Sequence, residues 1–474
     1  MSKNTELHFQ DARDIARAIR ERDLTSRQVT LHFLDRIERA SGLGAYSEVT
    51  AERALAQAEA ADRSLAAGEL TGPFHGVPLA IKDSVQWKGV SATLGSLSRM
   101  GEVSSETAAV LRLIEAQGMV VLGKTRMTEF AFGLSGQNPT QGTPRNPWDA
   151  RQVRAPGGSS SGCGVAVAAG LAPLALGGDT GGSVRAPAAL NGLVGYKPSS
   201  GMISRAGCLP LSETLDVLGP VARTVADARL FTQLLARPDV DDPATLALPA
   251  TAFTSLAEPL PRDVGPIAVL DAQCWPAELS GQPLGAWHRT MERLSEAGFT
   301  PTPWQPPAGL SFRRMAEDNS LVLAYEAYRH YGALAEDPDQ PLWDVVRARI
   351  AAGGRITDSA YDAALARRRA DMTAFARAME HWDALLMPAC DQAAQTMDEA
   401  DMRHAGLGAL LRPANFLGAP AIALPSGFDE AGLPLSGQLI APAGRDASLL
   451  DCAAALEPLL ANDRPVPDLS AWRL

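Results

Sequence analysis

The stretch that most restricts how this chain can fold is RAPGGSSSGCGVAVAAGLAPLALGGDTGGSVRAP, residues 154–187, which has no aromatic residue and few large side chains. Two glycine–serine clusters, GGSSSG and GGDTGGS, bracket a small-residue run that reads as a helix, CGVAVAAG, and one that reads as a strand, LAPLAL. A Gly/Ser run alone is the mark of a flexible linker. Glycine equally removes the side chain that would block a close approach of backbone to ligand. The linker reading fails because a helix-forming run follows at once and the second cluster answers the first, Ser183 standing 24 residues after Ser159. A turn such as GGDTGGS can aim successive backbone N–H groups into one concavity, the geometry that holds the negative oxygen of a tetrahedral intermediate. A tight glycine turn with a merely exposed serine is the plainer alternative at this point.

Helix and strand patterns alternate around this stretch up to about residue 235, which predicts an α/β core. Thr25 followed by Gln28 is a capping-box pattern, with Val29, Phe33, Leu34 and Ile37 on one face of the helix it starts. An alanine-rich helix closed by Gly68 precedes the strand-like GVPLAIKDSV, and ETAAVLRLIEAQG followed by MVVLG reads as helix, glycine stop and strand. Residues 236–266 and 301–309 are proline-rich connections, with mainly helical patterns between and after them. Strand-like runs return at ALLMPA and PAIALPSGF. No internal repeat is present.

Composition removes several classes of function. With 46% hydrophobic and 20% charged residues and a formal net charge of -11, the chain reads as an ordinary folded protein without the basic footprint of a nucleic-acid binder. Its five cysteines are scattered without metal spacing, which predicts a reducing, cytoplasmic setting and no disulfide framework or zinc site. The N-terminal residues lack a signal-type apolar core, and GVAVAAGLAPLAL is too short to span a bilayer, so no membrane association is expected.

Only five of the 43 basic residues are lysines, and four of these lie between 82 and 197. Arginine replaces lysine as a solvated charge but cannot supply a neutral amine, so a retained lysine is a candidate base where a partner exists. None of the seven histidines falls between 76 and 287, so the serine chemistry of this region has to be read without a neighbouring histidine. Cys163, at the start of the Ala/Val run, reads as core. GMVVLGKT, residues 118–125, fits the phosphate-loop pattern formally, but Gly118 closes a helix and residues 119–122 read as the strand itself, which makes the match coincidental.

Lys82 in HGVPLAIKDSV, APGGSSSG and GGDTGGSVR together resemble the amidase signature family, whose members use a Ser–cis-Ser–Lys triad. Further stretches match: EFAFGLSGQNPTQGTPRNPWD, GLVGYKPSSGMISRAG, LDVLGPVARTVADA and NFLGAPAIALPSGFDEAGLPLSGQLI. The resemblance covers about residues 10–235 and 380–460. It implies an α/β amidase signature fold, a central mixed, mostly parallel sheet flanked by helices on both faces. The whole chain, 1–474, is then one domain: N-terminal helices over 1–70, a catalytic core over 71–235, a variable, mainly helical substrate-side region over 236–380, and a return to the core sheet over 381–474.

Residue by residue, the resemblance implies Ser183 as nucleophile, Ser159 as bridging serine behind a cis Gly158–Ser159 bond, and Lys82 as base. It implies an oxyanion hole from the N–H groups of Thr180, Gly181, Gly182 and Ser183, and supporting roles for Ser160, Asp179 and Arg185. Gly133, Leu134 and Ser135 belong to the loop expected beside the substrate. Strand alternation sends Lys82 and Asp83 to opposite faces, so the neighbouring carboxylate need not hold the lysine protonated. The implied substrate is a small-molecule amide, anilide or carbamate, with no metal or organic cofactor and a monomer or homodimer as the assembly. The family also includes the glutamine-hydrolysing subunit of tRNA-dependent amidotransferases, which commonly has glutamine after the motif arginine and a SSLDQ stretch. Here Ala186 and SETLDV stand in those places, which favours a free-standing hydrolase.

Overall fold

In a computed structural model describing residues 6–257, 265–398, 406–460 and 466–474, eleven strands form one sheet. In chain order they are β1 (Tyr46–Val49), β2 (Pro78–Lys82), β3 (Val120–Thr125), β4 (Leu174–Asp179), β5 (Val194–Lys197), β6 (Val217–Ala222), β7 (Ile267–Leu270), β8 (Thr302–Trp304), β9 (Ala384–Pro388), β10 (Ala421–Phe428) and β11 (Pro434–Ile440). Across the sheet the order is β1-β3-β2-β4-β6-β5-β10-β11-β9-β7-β8. Lys3, His404 and part of the first proline-rich connection lie outside the described residues.

The expected α/β architecture and mixed sheet are present, with helices packed against the strands. The balance of directions differs from the expectation. Only β2 with β3 and β4, and β7 with β8 and β9, pair in parallel; the other six junctions are antiparallel. The reason is the connections: β10 and β11 are joined by a short turn and β5 returns to β6 without a helix, whereas a parallel neighbour needs a long crossover. The variable region also contributes β7 and β8 to the sheet, where helix and proline-rich connection were expected. β8 is a three-residue edge strand carrying Pro303, a place where the missing N–H breaks no ladder.

Local signals elsewhere behave as their chemistry dictates. Thr25 and Gln28 form the reciprocal capping box of the helix Ser26–Arg39, and Val29, Phe33 and Ile37 are buried. Every residue of the helix Ser161–Ala168 is buried, and every residue of β2 and β3 likewise. No helix among the described residues is long and apolar enough to cross a membrane.

Candidate active site

β2 and β4 run parallel side by side, with Ile81 opposite Leu176, so their C-terminal ends emerge at one edge of the sheet. That register puts Lys82, the last residue of β2, against the glycines that close β4. Its Nζ donates to the Gly178 carbonyl at 3.2 Å and to the Ser159 Oγ at 2.8 Å. Ser159 follows a cis Gly158–Ser159 peptide and precedes the buried helix Ser161–Ala168. A side chain at Gly158 has no room: its Cβ would lie 2.7 Å from Thr128 Oγ1 and 2.8 Å from both the Gly133 carbonyl oxygen and Gly136 Cα. The Gly157 and Gly158 amides donate to the carbonyls of Ser135 and Leu134, so this serine loop is strapped to the 133–135 loop. Ser160 completes the seam: its Oγ donates to the Gly178 carbonyl and accepts from the Gly178 amide, while its amide donates to the Ser183 carbonyl at 3.2 Å.

The turn after β4 is held from inside. Asp179 Oδ1 accepts from the Gly182 amide at 2.7 Å, and Oδ2 accepts from the amides of Val184 and Arg185. Arg185, wholly buried, donates through Nε and Nη2 to the same carboxylate, through Nη1 to the Leu411 carbonyl and Gln438 Oε1, and through Nη2 to Asn415 Oδ1. Asn415 Nδ2 returns to the Asp179 carbonyl and Oδ1. Burial alone would raise the Asp179 carboxyl, but the Arg185 guanidinium outweighs it and holds the group well below the ordinary carboxylate range. Thr180 Oγ1 is fixed by Asp216 at 2.5 Å.

Of the four N–H groups expected to receive a substrate oxygen, that of Gly182 is already given to Asp179 Oδ1 at 2.7 Å. The N–H groups of Thr180, Gly181 and Ser183 have no protein acceptor among the described residues.

Ser183 opens onto a cavity of about 600 Å³ that is also lined by Gly133, Leu134, Ser135, Thr180 and Gly181. A smaller cavity of about 190 Å³ reaches Lys82, Gly178 and Thr180 from the side of Asp216 and Arg205. Burial pushes the Lys82 ammonium down to about 8, against the opposing charges of Asp216 and Asp179. Asp83, next in sequence, points the other way and pairs with Lys124 at 3.4 Å while accepting from Thr93. Lys124 is thereby a buried residue of β3 bonded to the Val85 carbonyl, and residues 118–125 do not form a phosphate loop. Cys163 is buried beside Thr125, and burial pushes its thiol up to about 11.

An amidase family model matches residues 28–450. The chain belongs to the amidase signature family. Amidase signature enzymes are also what its fold resembles among solved structures. The native peptide amidase from Stenotrophomonas maltophilia superposes with a TM-score of 0.81 at 29% identity, covering 97% of this chain and 98% of that one. A 6-aminohexanoate cyclic dimer hydrolase gives 0.85 at 26% identity, covering 98% of this chain and 100% of that one. Among curated relatives, a glutamyl-tRNA(Gln) amidotransferase subunit of Moorella thermoacetica is 34% identical over 490 residues, 98% of this chain and 99% of the relative. The corresponding subunit of Renibacterium salmoninarum is 35% identical over 502 residues, covering 96% of this chain and 94% of that one.

Within this chain, Lys82, Ser159, Ser160, Asp179, Arg185 and residues 180–183 all come together where β2 and β4 end. No hydrogen bond between the hydroxyls of Ser159 and Ser183 is formed among the described residues; the two serines meet through the Ser160 amide and Ser183 carbonyl. Sequence reasoning missed Asn415, Gln438, Asp216 and Arg412. The first three sit in stretches that resemble the family, NFLGAPAIALPSGFDEAGLPLSGQLI for Asn415 and Gln438 and LDVLGPVARTVADA for Asp216, and a polar residue inside a largely apolar run was the signal available.

Proposed function

We propose that this amidase hydrolyses a carbon–nitrogen amide-type bond of a small molecule, an amide, anilide or carbamate, through an acyl-enzyme on Ser183. The observation that carries the reading is the 2.8 Å contact between Lys82 Nζ and Ser159 Oγ, with the lysine desolvated and Ser183 on the neighbouring cavity. A neutral Lys82 takes the Ser159 proton as Ser159 takes that of Ser183, and the Ser183 oxygen bonds to the substrate carbonyl carbon. The carbonyl oxygen, now negative, is received by the N–H groups of Thr180, Gly181 and Ser183, which the Asp179–Arg185 clamp keeps in place before substrate arrives. The proton then returns through Ser159 to the leaving nitrogen, the C–N bond breaks, and water repeats the sequence on the ester.

The relatives of the amidotransferase class favour a second reading, a glutamine-hydrolysing subunit working in a complex. Against it, the position where that class commonly has glutamine is here Ala186, fully buried in an apolar cluster with Leu411, Cys390 and Ala389. Incubating the purified chain alone with primary amides, anilides, carbamates and glutamine, followed by mass spectrometry of the Ser183 peptide, separates the two. Turnover of simple amides with an acyl group on Ser183 is expected. Glutaminase activity appearing only in a stable complex would overturn the free-standing hydrolase.

A further inference from the structure

The Ser183 cavity contains a cation that no described residue answers. Arg412 lies between Leu411, whose carbonyl accepts from Arg185, and Asn415, whose side chain accepts from the same guanidinium, so its backbone is fixed relative to the turn that bears Ser183. Its side chain runs through a slot left by two glycines. A Cβ on Gly181 would lie 3.3 Å from Arg412 Cγ and 3.7 Å from Nε; one on Gly408 would lie 2.7 Å from Cζ and 2.8 Å from Nη2. Gly408 therefore has to be glycine for the guanidinium to sit where it does. The head lines the cavity together with Ser183 and Thr180.

Among the described residues Arg412 makes no hydrogen bond and no ion pair. Arg185 behind it is fully engaged, and Arg349, also on the cavity, donates to the Phe132 carbonyl. Burial, with Arg349 nearby, pushes the Arg412 guanidinium down to about 10, which still leaves it cationic at neutral pH. Asp391 is the acid on the same cavity; it forms no pair with Arg412, and burial raises its carboxyl toward the neutral form. Arg412 is only partly buried, so its donors are open to a ligand in the cavity, and the planar fork of a guanidinium fits a carboxylate in two parallel hydrogen bonds.

We propose that Arg412 is the anion-recognition residue of the Ser183 cavity and that the natural substrate is an amide bearing a carboxylate. This rests on the amide-hydrolase reading above. It also disfavours an amino acid amide whose ammonium would face the guanidinium.

The test pairs half-amides of succinic and glutaric acid with uncharged straight-chain amides of matched length. In the wild type, kcat/KM favours the half-amides, and the dicarboxylates themselves inhibit hydrolysis of the uncharged amides competitively. Arg412→Met lowers the ratio of kcat/KM for half-amide over uncharged amide by about 10- to 100-fold, mainly through KM, and Arg412→Lys recovers part of it. A wild type that prefers the uncharged amides and is insensitive to dicarboxylates overturns the proposal without any variant. So does an unchanged ratio in a folded Arg412→Met. If neither class is turned over and Ser183 is never acylated, the amide-hydrolase reading fails instead.

Discussion

The protonation of Lys82 sets how fast the proposed relay can run at a given pH. An ordinary lysine near 10.5 is neutral in about one molecule in 3,000 at pH 7. Burial brings Lys82 down to about 8, which makes it neutral in about one molecule in ten at pH 7, a gain of about 300-fold in competent enzyme. The sign follows directly: lowering a lysine favours the uncharged base, so activity is low in acid and rises with alkali. The profile of kcat/KM for an uncharged amide, measured from pH 5.5 to 10.5, is expected to climb about tenfold per pH unit and flatten above about 8. Lys82→Arg is expected to be inactive at every pH, because a guanidinium does not give up its proton in this range. A profile flat from pH 6 to 10, a break near 10.5, or an active Lys82→Arg enzyme would refute the assignment of Lys82 as base.

Three further outcomes follow from the site. Ser183→Ala and Lys82→Ala should each abolish hydrolysis while thermal unfolding stays close to wild type, and Ser159→Ala combined with either should cost little more than the single change, because members of one relay are not additive. Asp179→Asn leaves the Arg185 guanidinium short of its counter-charge in a fully buried place, and urea unfolding should show a loss of about 3–5 kcal/mol. The Asp179 carboxyl is held low, so its stabilisation is present above the usual carboxylate range and is lost only as acid takes the pH below that range. Gly158→Ala forces its Cβ against backbone at Gly133 and Gly136, and a displacement of about 1 Å at Ser159 should lower kcat by about 100-fold at unchanged secondary structure by circular dichroism.

How far the sequence spoke depended on the range of each interaction. The Thr25–Gln28 cap, the small-residue helix around CGVAVAAG and the strand that carries Lys82 are written in neighbouring residues, and all three were readable. Asp83 does bond away from Lys82, though it lies in the turn just past the end of β2. What was not readable joins distant segments: Arg185 to Gln438 spans 253 positions and Arg185 to Asn415 spans 230. The bond from the Gly182 N–H to Asp179 was not readable for a related reason, since that carboxylate is held in turn by Arg185. Strand direction failed similarly, because β5 and β6 are joined by an irregular connection whose path no periodicity encodes. Arg412 looks like any of the chain's many arginines until Gly181 and Gly408 are seen beside it.

The Arg185 clamp also imposes an order on the life of the molecule. A chain emerging from the ribosome displays Lys82, Ser159 and Ser183 when less than half of it has been made, yet Leu411, Asn415 and Gln438 arrive only near the end. Until they dock, Arg185 lacks three of its acceptors, and of this clamp only Asp179 braces the turn that presents Ser183. The proposed nucleophile is therefore made early and supported late: an incomplete nascent chain carries every atom of the proposed relay before Arg185 has its full set of partners.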